Sequence, residues 1–327
     1  MKTQMSFSQF EQAGKRKTTR RERFLAEMEK VVPWARLCAV IAPHYPKGER
    51  GRPPIGLERM LRLYFLQQWY ALADEALEDA LYDSAALRAF AGIDLSSESV
   101  PDATTLLKFR HLLERHQLTA AIFEEVNAML RESGLLLSRG TLVDATIVAA
   151  PSSTKNRTGK RDPEMHQTRK GNAWHFGMKA HTGVDRSSGI VHRVVCTAAN
   201  VSDVSQVGHL LHGREQEVHG DSGYQGAEKR PEVAAGRGRG VRQWYIARKP
   251  GRVRAIRDRR LRELTARLEK LKARIRARVE HPFHVIKNIF GHRKVRYRGL
   301  ARNAAQFHTL FALSNLYRVR KTLPGSA

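Results

Sequence analysis

The sequence predicts a mixed α/β protein with an all-helical N-terminal domain, and three observations lead to this prediction. Residues 1–134 place apolar side chains at helical spacing. At Gly134 the pattern changes to short apolar, β-branched runs bounded by turns, which is typical of strands. Helix-length segments alternate with the later runs, as in layered α/β proteins. We therefore expect a helical domain over 1–134 and an α/β domain over 135–327.

The N-terminal domain is predicted to contain several short helices. The apolar period indicates a helix that ends near Pro33, helices within 56–91, and two more over 104–113 and 120–131. Aromatic residues on the apolar stripe are expected in the core rather than as base-stacking platforms. They are Tyr64, Phe65 and Trp69.

Two basic segments of this domain have a composition that suits a phosphate backbone. Residues 15–23 are mostly Lys and Arg, and the loop over 43–54 combines Lys and Arg with Gly and Pro. For the loop, a solvated linker is an equally good interpretation.

The α/β domain alternates strands and helices along the chain. We expect a buried strand over 135–148, a polar loop over 152–172, and a hairpin made by 174–184 and 190–198. A short helix is expected over 203–211, followed by two more strands over 216–221 and 241–247. A long basic helix over 253–279 and a last helix over 307–319 complete the domain.

The long basic helix carries an apolar stripe. Its members alternate by three and four residues, which suits packing on the sheet or a short coiled coil with a second subunit. Packing on the sheet is the expectation. The stripe consists of Leu261, Leu264, Leu268, Leu271 and Ile275.

The composition of the chain indicates a polyanionic partner. The 58 Lys and Arg residues against 32 Asp and Glu residues give a formal net charge of +26. The charge is spread over several segments rather than gathered on one amphipathic helix, which favours nucleic acid over an acidic membrane surface. Cys38 and Cys196 have no nearby metal or redox partner, and no apolar run reaches membrane-spanning length. We expect a soluble cytoplasmic protein that binds no membrane.

One segment near the C-terminus combines acidic and basic side chains at helical spacing. Arg276, Glu280, His284 and Lys287 are four, four and three residues apart and share one helix face. This pattern suits either a surface ion pair or a site that grips a metal ion and a phosphate. A neighbouring apolar stripe is formed by Val279, Phe283 and Ile286, and Pro282 is expected to kink the helix.

Three carboxylates occupy positions that could converge. Asp144 lies within the first predicted strand, where burial without a partner is costly, and Asp221 ends the fourth. If these strands are neighbours, as in RNase H-like folds, the two aspartates lie about one strand spacing apart, and a helix can bring Glu280 opposite them. Three oxygen donors without clustered Cys or His favour Mg²⁺ or Mn²⁺ over zinc.

The histidines are predicted to be structural or solvent-facing rather than metal ligands. No H-x-x-x-H pair with an acidic companion occurs on a helix. His284 alone shares the face of Glu280 and is a weak candidate for a DNA contact. The histidines considered are His175, His181, His192, His219, His281 and His284.

Several short motifs in the right order resemble the DDE transposases of bacterial insertion sequences. The resemblance covers residues 50–320. Among the insertion-sequence families it is nearest to the one numbered five, which belongs to the broader superfamily of family four. The motifs are L-V-D-A-T at 142–146, F-G-M-K-A-H at 176–181, N-V-S-D at 200–203, G-D-S-G-Y at 220–224, the stretch 276–287, and P-D-A-T-T at 101–105.

The resemblance implies a function and a set of site residues. Asp144, Asp221 and Glu280 would be the catalytic, metal-binding triad of an RNase H-like core, with Mg²⁺ as the cofactor and Mn²⁺ as a substitute. The family also has a Tyr, Arg, Glu, Lys signature, in which Arg276, Glu280 and Lys287 fit but Ala273 stands at the Tyr position.

The resemblance also implies partners and DNA contacts. Arg276, Lys287 and Lys179 would contact DNA beside the cut. Double-stranded DNA, as element ends and as target, would be the substrate, bound by at least a homodimer near the bacterial nucleoid. The N-terminal domain would be the basic DNA-binding domain.

Two other functions use the same residues differently. An RNase H-like nuclease or junction resolvase would share the metal site but would not join strands. A DNA-binding repressor would keep the carboxylates for structure alone, although a buried Asp144 is costly without a cation.

Overall fold

The computed structural model describes most of the chain, namely residues 17–48, 53–137, 139–157 and 159–322. The predicted basic segments are covered in part, because residues 15, 16 and 49–52 lie outside the described residues. The chain forms two compact units, one bounded by 1–122 and 316–327 and the other by 123–315. The division into functional domains at residue 134 stays a prediction.

The first unit is helical, as the apolar period predicts. Two of its helices begin at capping residues: Thr19 forms a capping box with Glu22, and the Asp102 carboxylate accepts the backbone N–H of Thr105. The helices are α1 (Arg20–Val31), α2 (Trp34–Ile41), α3 (Leu57–Trp69), α4 (Asp74–Asp83), α5 (Ala85–Ala91) and α6 (Ala103–Arg115).

An aromatic cluster forms the core of this unit. The ring of Trp69 lies 5.7 Å from that of Phe65 and 5.6 Å from that of Phe90, centroid to centroid. Tyr64, Phe65 and Trp69 are buried. The prediction that they belong to the core is confirmed.

The second unit combines helices with a mixed sheet. Helix α7 contains the boundary between residues 122 and 123, and helix α13 contains the boundary between residues 315 and 316. The elements are α7 (Leu118–Glu132), β1 (Gly140–Ala149), β2 (His166–Lys170), β3 (Ala173–Asp185), β4 (Val191–Ala198), α8 (Val207–Leu210), β5 (Glu217–Gly220), α9 (Pro231–Ala234), β6 (Gln243–Ile246), α10 (Pro250–Arg254), α11 (Arg259–Arg276), α12 (Glu280–His284) and α13 (Leu300–Val319).

The sheet places β1 between an antiparallel and a parallel neighbour. Strand β3 pairs with β1 and β4 in antiparallel fashion, and β5 pairs with β1 and β6 in parallel. The first and fourth predicted strands, which are β1 and β5, are therefore neighbours, as expected. This arrangement is a mixed α/β fold consistent with an RNase H-like core.

Strand β2 is missing from the sequence prediction, which assigns this segment to a polar loop. It pairs with the first residues of β3 around a turn in which Gly171 has a φ of +60°. Most of its residues are exposed. An edge strand without a buried face carries no apolar alternation, so the sequence contains no signal for it.

The predicted helix over 253–279 is interrupted. Helix α10 ends at Arg254, and the side chain of Asp258 caps a new helix, α11, by accepting the backbone N–H of Leu261 at 2.7 Å. Residues Ala277–Val279 then continue as a 3₁₀ turn. The prediction of a single long helix is therefore wrong in detail, because the Asp258 N-cap begins a new helix after α10.

The leucine stripe of α11 faces outward, so the expectation that it packs on the sheet is wrong. The contacts are made by polar residues that flank the stripe: Lys272 donates to the carbonyl of Ile246 at 3.1 Å, and the N–H of Arg248 donates to Glu269 at 3.0 Å. The exposed members are Leu261, Leu264, Leu268 and Leu271, each between 48% and 55% exposed.

Two smaller expectations concern the cysteines and the membrane. Cys38 and Cys196 are free thiols, and burial raises the pKa of Cys196 to about 12, which keeps it protonated. Across the described residues, no helix has both the length and the apolar character needed to cross a membrane.

Candidate active site

The strand register brings Asp144 and Asp221 together. In the parallel pair of β1 and β5, Leu142 lies opposite His219. Asp144 lies two residues further along β1, and Asp221 is the first residue after β5. Continuing the register would bring them opposite each other, about one strand spacing or roughly 5 Å apart. Asp221 caps a 3₁₀ turn, because its carboxylate accepts the N–H of Gly223 at 2.8 Å.

Asp144 is a carboxylate held in a poorly solvated position. Its only hydrogen bond among the described residues comes from the neighbouring backbone N–H of Ala145, at 2.8 Å. Burial, with a smaller effect from the charge of Asp221, raises the pKa of Asp144 to about 6. A nearby cation would favour the ionised form of this group.

Arg276 lies beside the two aspartates. Its guanidinium is 3.8 Å from the Asp221 carboxylate, and both side chains keep part of their surface exposed, 30% and 42%. The charge of Arg276 also lowers the pKa of Asp144 against the larger effect of burial. A guanidinium at the edge of a carboxylate pair is positioned to meet an entering phosphate.

The segment that carries Glu280 lies over the same face of β1 as Asp144. Side chains two residues apart on a strand share a face, so Asp144 and Thr146 point the same way. The ammonium of Lys287 donates to the Thr146 hydroxyl at 2.8 Å and to the carbonyl of Ile147 at 2.6 Å. The Glu280 side chain itself is exposed.

The apolar stripe of this segment is confirmed, since Val279, Phe283 and Ile286 are all buried. The helical register restarts at Glu280, so Pro282 lies in the first turn of α12, where a backbone N–H has no partner within the helix. A stretch of π-helix, Val285–Ile289, follows. The chain thus accommodates Pro282 by changing helix type around it.

The three carboxylates do not form a compact cluster of ligand atoms. Within the described ranges, the group of three acidic or histidine side chains whose ligand atoms all lie within 4.8 Å of one another is His192, His212 and Glu215. The triad is not such a group. Asp144 and Asp221 come from the neighbouring strands β1 and β5, and the segment that follows Glu280 is attached to β1 through Lys287.

Two family models match the chain. The model described as "Transposase DDE domain" covers residues 136–316, which is more than half of the sequence. The chain belongs to the insertion-sequence DDE transposases. A second model, "Transposase domain (DUF772)", covers residues 12–112 of the transposase. Neither match distinguishes the family numbered five from other insertion-sequence families, and no solved structure matched the transposase.

Membership of this family has consequences for chemistry and partners. A transposase domain implies DNA binding, and DDE transposases use divalent metal ions. The donor set of this transposase fits such an ion, because Asp144, Asp221 and Glu280 offer only hard oxygen ligands. The raised pKa of the partly buried Asp144 is a second indication, since a positive charge is what that carboxylate lacks.

Lys179, a predicted DNA contact, is engaged within the transposase. Its ammonium donates to the carbonyl of Val201 at 2.8 Å and lies 2.9 Å from the Asp203 carboxylate. Its side chain is 12% exposed. Contact with DNA would require Lys179 to leave Asp203.

Tyr224 is a residue of the site that the sequence analysis left without a role. It is buried, and its hydroxyl has no hydrogen-bond partner among the described residues. Burial and the charge of Asp144 raise the pKa of Tyr224 well above its ordinary value. The G-D-S-G-Y motif, in which Tyr224 follows Asp221 by three residues, is the signal that could have singled it out.

The histidines differ in their surroundings. His281 and His284 are exposed, and the His181 ring nitrogen Nε2 lies 2.8 Å from the Thr197 hydroxyl. His219 stacks on Tyr245, with ring centroids 4.8 Å apart. These four agree with the structural or solvent-facing roles predicted for them.

Proposed function

We propose that this transposase binds the ends of its insertion sequence, cleaves DNA phosphodiester bonds and joins the resulting 3′-hydroxyl ends to target DNA. The observation that supports the proposal is the parallel pairing of β1, which carries Asp144, with β5, which Asp221 directly follows. Arg276 lies 3.8 Å from Asp221. The Glu280 segment is held over the same face by Lys287.

Each residue has a distinct role in this proposal. Asp144 and Asp221 would hold Mg²⁺ from the sheet and Glu280 would hold it from the helix, with Mn²⁺ as a substitute. When bound, a pair of such ions activates the attacking oxygen and stabilises the leaving oxygen. Arg276 would hold the phosphate next to the cut, and Lys287 would fix the Glu280 segment on β1 and present its remaining charge to DNA.

Lys179 is proposed as a DNA contact only in a rearranged state. Its ion pair with Asp203 would have to open first, and the phosphate of the DNA would replace the carboxylate. Joining two element ends would bring at least two copies of the transposase together on DNA. A chromosomal substrate would place the protein at the bacterial nucleoid.

The test is a cleavage and joining assay on DNA that carries the ends flanking the gene, with and without Mg²⁺. Glu280→Gln, Asp144→Asn and Asp221→Asn each remove one metal ligand at nearly constant size. We expect each to abolish cleavage while binding of the ends changes little. Glu263→Gln is the matched control, because Glu263 is an exposed glutamate on α11 away from the site.

The outcomes separate the possible functions. Mg²⁺-dependent cleavage that survives in one variant removes that residue from the triad. Cleavage without joined products would indicate a nuclease, and end binding without any metal-dependent cleavage would indicate a repressor. Either result would contradict the proposal.

A further inference from the structure

A cavity of about 270 Å³ in the second unit is lined by basic side chains. We call it the basic pocket, and its residues are Arg131, His192, Arg193, His212 and Arg214. It lies near the first residues of β1, since the His192 ring is 3.1 Å from Thr141. Asp144 is three residues further along β1, about 10 Å away. The basic pocket is therefore separate from the triad.

The charge of the basic pocket is only partly neutralised. Arg193 and Arg131 share one carboxylate, Glu124, at 3.2 Å and 3.9 Å. The guanidinium of Arg214 is exposed and has no hydrogen bond or ion pair with the described part of the chain. Two of the three guanidinium groups thus share one exposed carboxylate, and the buried carboxylates Glu215 and Asp185 act on the neighbouring His212 ring.

Three nitrogen atoms of the basic pocket are buried without a hydrogen-bond partner among the described residues. They are Arg193 Nε, His192 Nδ1 and His212 Nε2. His212 Nε2 lies 3.4 Å from the Glu215 carboxylate, whereas Arg193 Nε and His192 Nδ1 have no such neighbour among the residues that the structure describes. Buried polar atoms without a partner are unfavourable, so these two indicate a missing polar occupant. His192 itself is 3% exposed.

The hydrogen bonds around the two histidines fix where their protons lie. The Thr141 hydroxyl donates to Glu215 at 3.1 Å, so it accepts from His192 Nε2 and leaves Nδ1 as an acceptor. His212 Nδ1 accepts the backbone N–H of Arg214 at 3.0 Å, so Nε2 carries the proton. The basic pocket therefore offers donors from its arginines and His212, and one acceptor at His192.

A metal ion does not fit this arrangement, although His192, His212 and Glu215 bring their ligand atoms within 4.8 Å of one another. His212 Nε2 carries a proton and cannot coordinate a metal unless the bond from Arg214 is broken. The Glu215 carboxylate already accepts the N–H groups of His212 and Gly213, at 2.6 Å and 2.8 Å. A cation would also lie beside three guanidinium groups.

We propose that the basic pocket binds a phosphate group. Phosphate oxygens would accept from Arg193 and Arg214. A small phosphate that carries a proton would also donate to His192 Nδ1, whereas a DNA phosphodiester has no proton to donate and would use the arginines alone. The phosphate could come from a DNA backbone or from a small phosphate. If the phosphate belongs to DNA, the inference rests on the proposed function and adds a second DNA contact that is separate from the triad.

The test measures two properties of the full-length protein in EDTA, so that no catalysis occurs. Equilibrium dialysis with radiolabelled inorganic phosphate reports the small ligand. The affinity for duplex DNA at several salt concentrations reports backbone contacts. Arg214→Gln removes the unpartnered charge without breaking a bond within the protein, and Arg242→Gln, at another exposed arginine, is the matched control.

We expect Arg214→Gln to weaken phosphate binding more than about tenfold, because it removes a charge-assisted hydrogen bond, while the control changes it less than about twofold. If DNA supplies the phosphate, Arg214→Gln also reduces the slope of log affinity against log salt by about 1. An unchanged slope assigns the basic pocket to a small phosphate.

Two results would overturn the proposal. One is a wild-type protein that binds no inorganic phosphate, together with the same DNA salt slope in Arg214→Gln and in the control Arg242→Gln. The other is Zn²⁺ bound at one ion per chain and lost in His212→Asn, which would make the cluster a metal site. Failure of cleavage in the Mg²⁺ assay would leave these measurements unaffected, so the two proposals fail separately.

Discussion

At the scale of single residues, Asp144 shows how a candidate site residue can conflict with stability. Its position within β1 removes water from a carboxylate that has one hydrogen bond among the described residues. Asp221 adds a second negative charge on the next strand, and Arg276 offsets it only in part. This arrangement is unfavourable for the folded protein alone and favourable once a cation is bound.

The pKa of Asp144 leads to a stability prediction. A carboxyl whose pKa rises from 3.8 unfolded to about 6 folded favours the folded state only while it is protonated. This contribution is complete below about pH 4 and is lost as the pH rises to about 6. In EDTA, we expect Asp144→Asn to be more stable than wild type by roughly 1–3 kcal/mol at pH 8 and to show little gain at pH 4.

Urea denaturation of both proteins between pH 4 and pH 8 measures this difference. Asp221→Asn is the comparison, because the Asp221 side chain is 42% exposed and its charge is better solvated, so its gain should be smaller. A constant difference between Asp144→Asn and wild type across the pH range would show that burial of this carboxylate does not control stability.

At the scale of elements, helix α11 shows that a regular apolar stripe need not lie in the core. Its N-cap at Asp258 and the bond from Lys272 to β6 fix the rotation of the helix. Thr265 is the buried residue of this helix, and the leucine stripe lies beside it, turned further toward solvent. The periodicity predicted the stripe correctly, but the polar contacts determined which face met the sheet.

The exposure of this stripe predicts a small cost on truncation. Leu268 is 48% exposed, whereas Leu310 in α13 is fully buried. We expect Leu268→Ala to change the free energy of unfolding by less than about 1 kcal/mol and Leu310→Ala to lower it by about 2–5 kcal/mol. Urea denaturation of the two variants provides the comparison. Equal losses would place Leu268 in the core after all.

At the scale of the whole molecule, the formal net charge of +26 is the dominant property. The charge is present in both units: for example, Arg62 lies on α3, and Arg262 on α11. Several basic residues are held in ion pairs, and many others face solvent. A chain of this charge attracts DNA before any specific contact forms.

We expect the affinity for DNA to depend steeply on salt. If six to ten phosphates are neutralised, the affinity should fall by roughly 10³–10⁵ between 50 mM and 200 mM salt. Titration of a duplex without element ends, at several salt concentrations in EDTA, measures the slope for non-specific binding. A slope near zero would show that the excess charge is not used on phosphate.

Much of the site could be read from the sequence because the relevant information is local. The motif that contains Asp144 lies within a strand, and the motif that contains Asp221 begins at the last residue of a strand. The stripe of Val279, Phe283 and Ile286 defines the buried face behind Glu280. Helical and strand periods report which side chains share a face, and these patterns need no knowledge of distant contacts. The α/β class followed from such patterns, whereas the pairing of the first and fourth strands was a condition taken from RNase H-like folds.

The remaining features depend on contacts between distant parts of the chain. Lys179 is tied to Asp203 across 24 positions of sequence, and Lys287 reaches Thr146 across 141. The basic pocket likewise gathers residues from α7, β4 and the loop before β5. A sequence period determines the faces of each element, whereas packing determines which faces meet. Sequence therefore determined the candidate ligands and their family, and the tertiary structure decided which cations are engaged and where a second anion site could form.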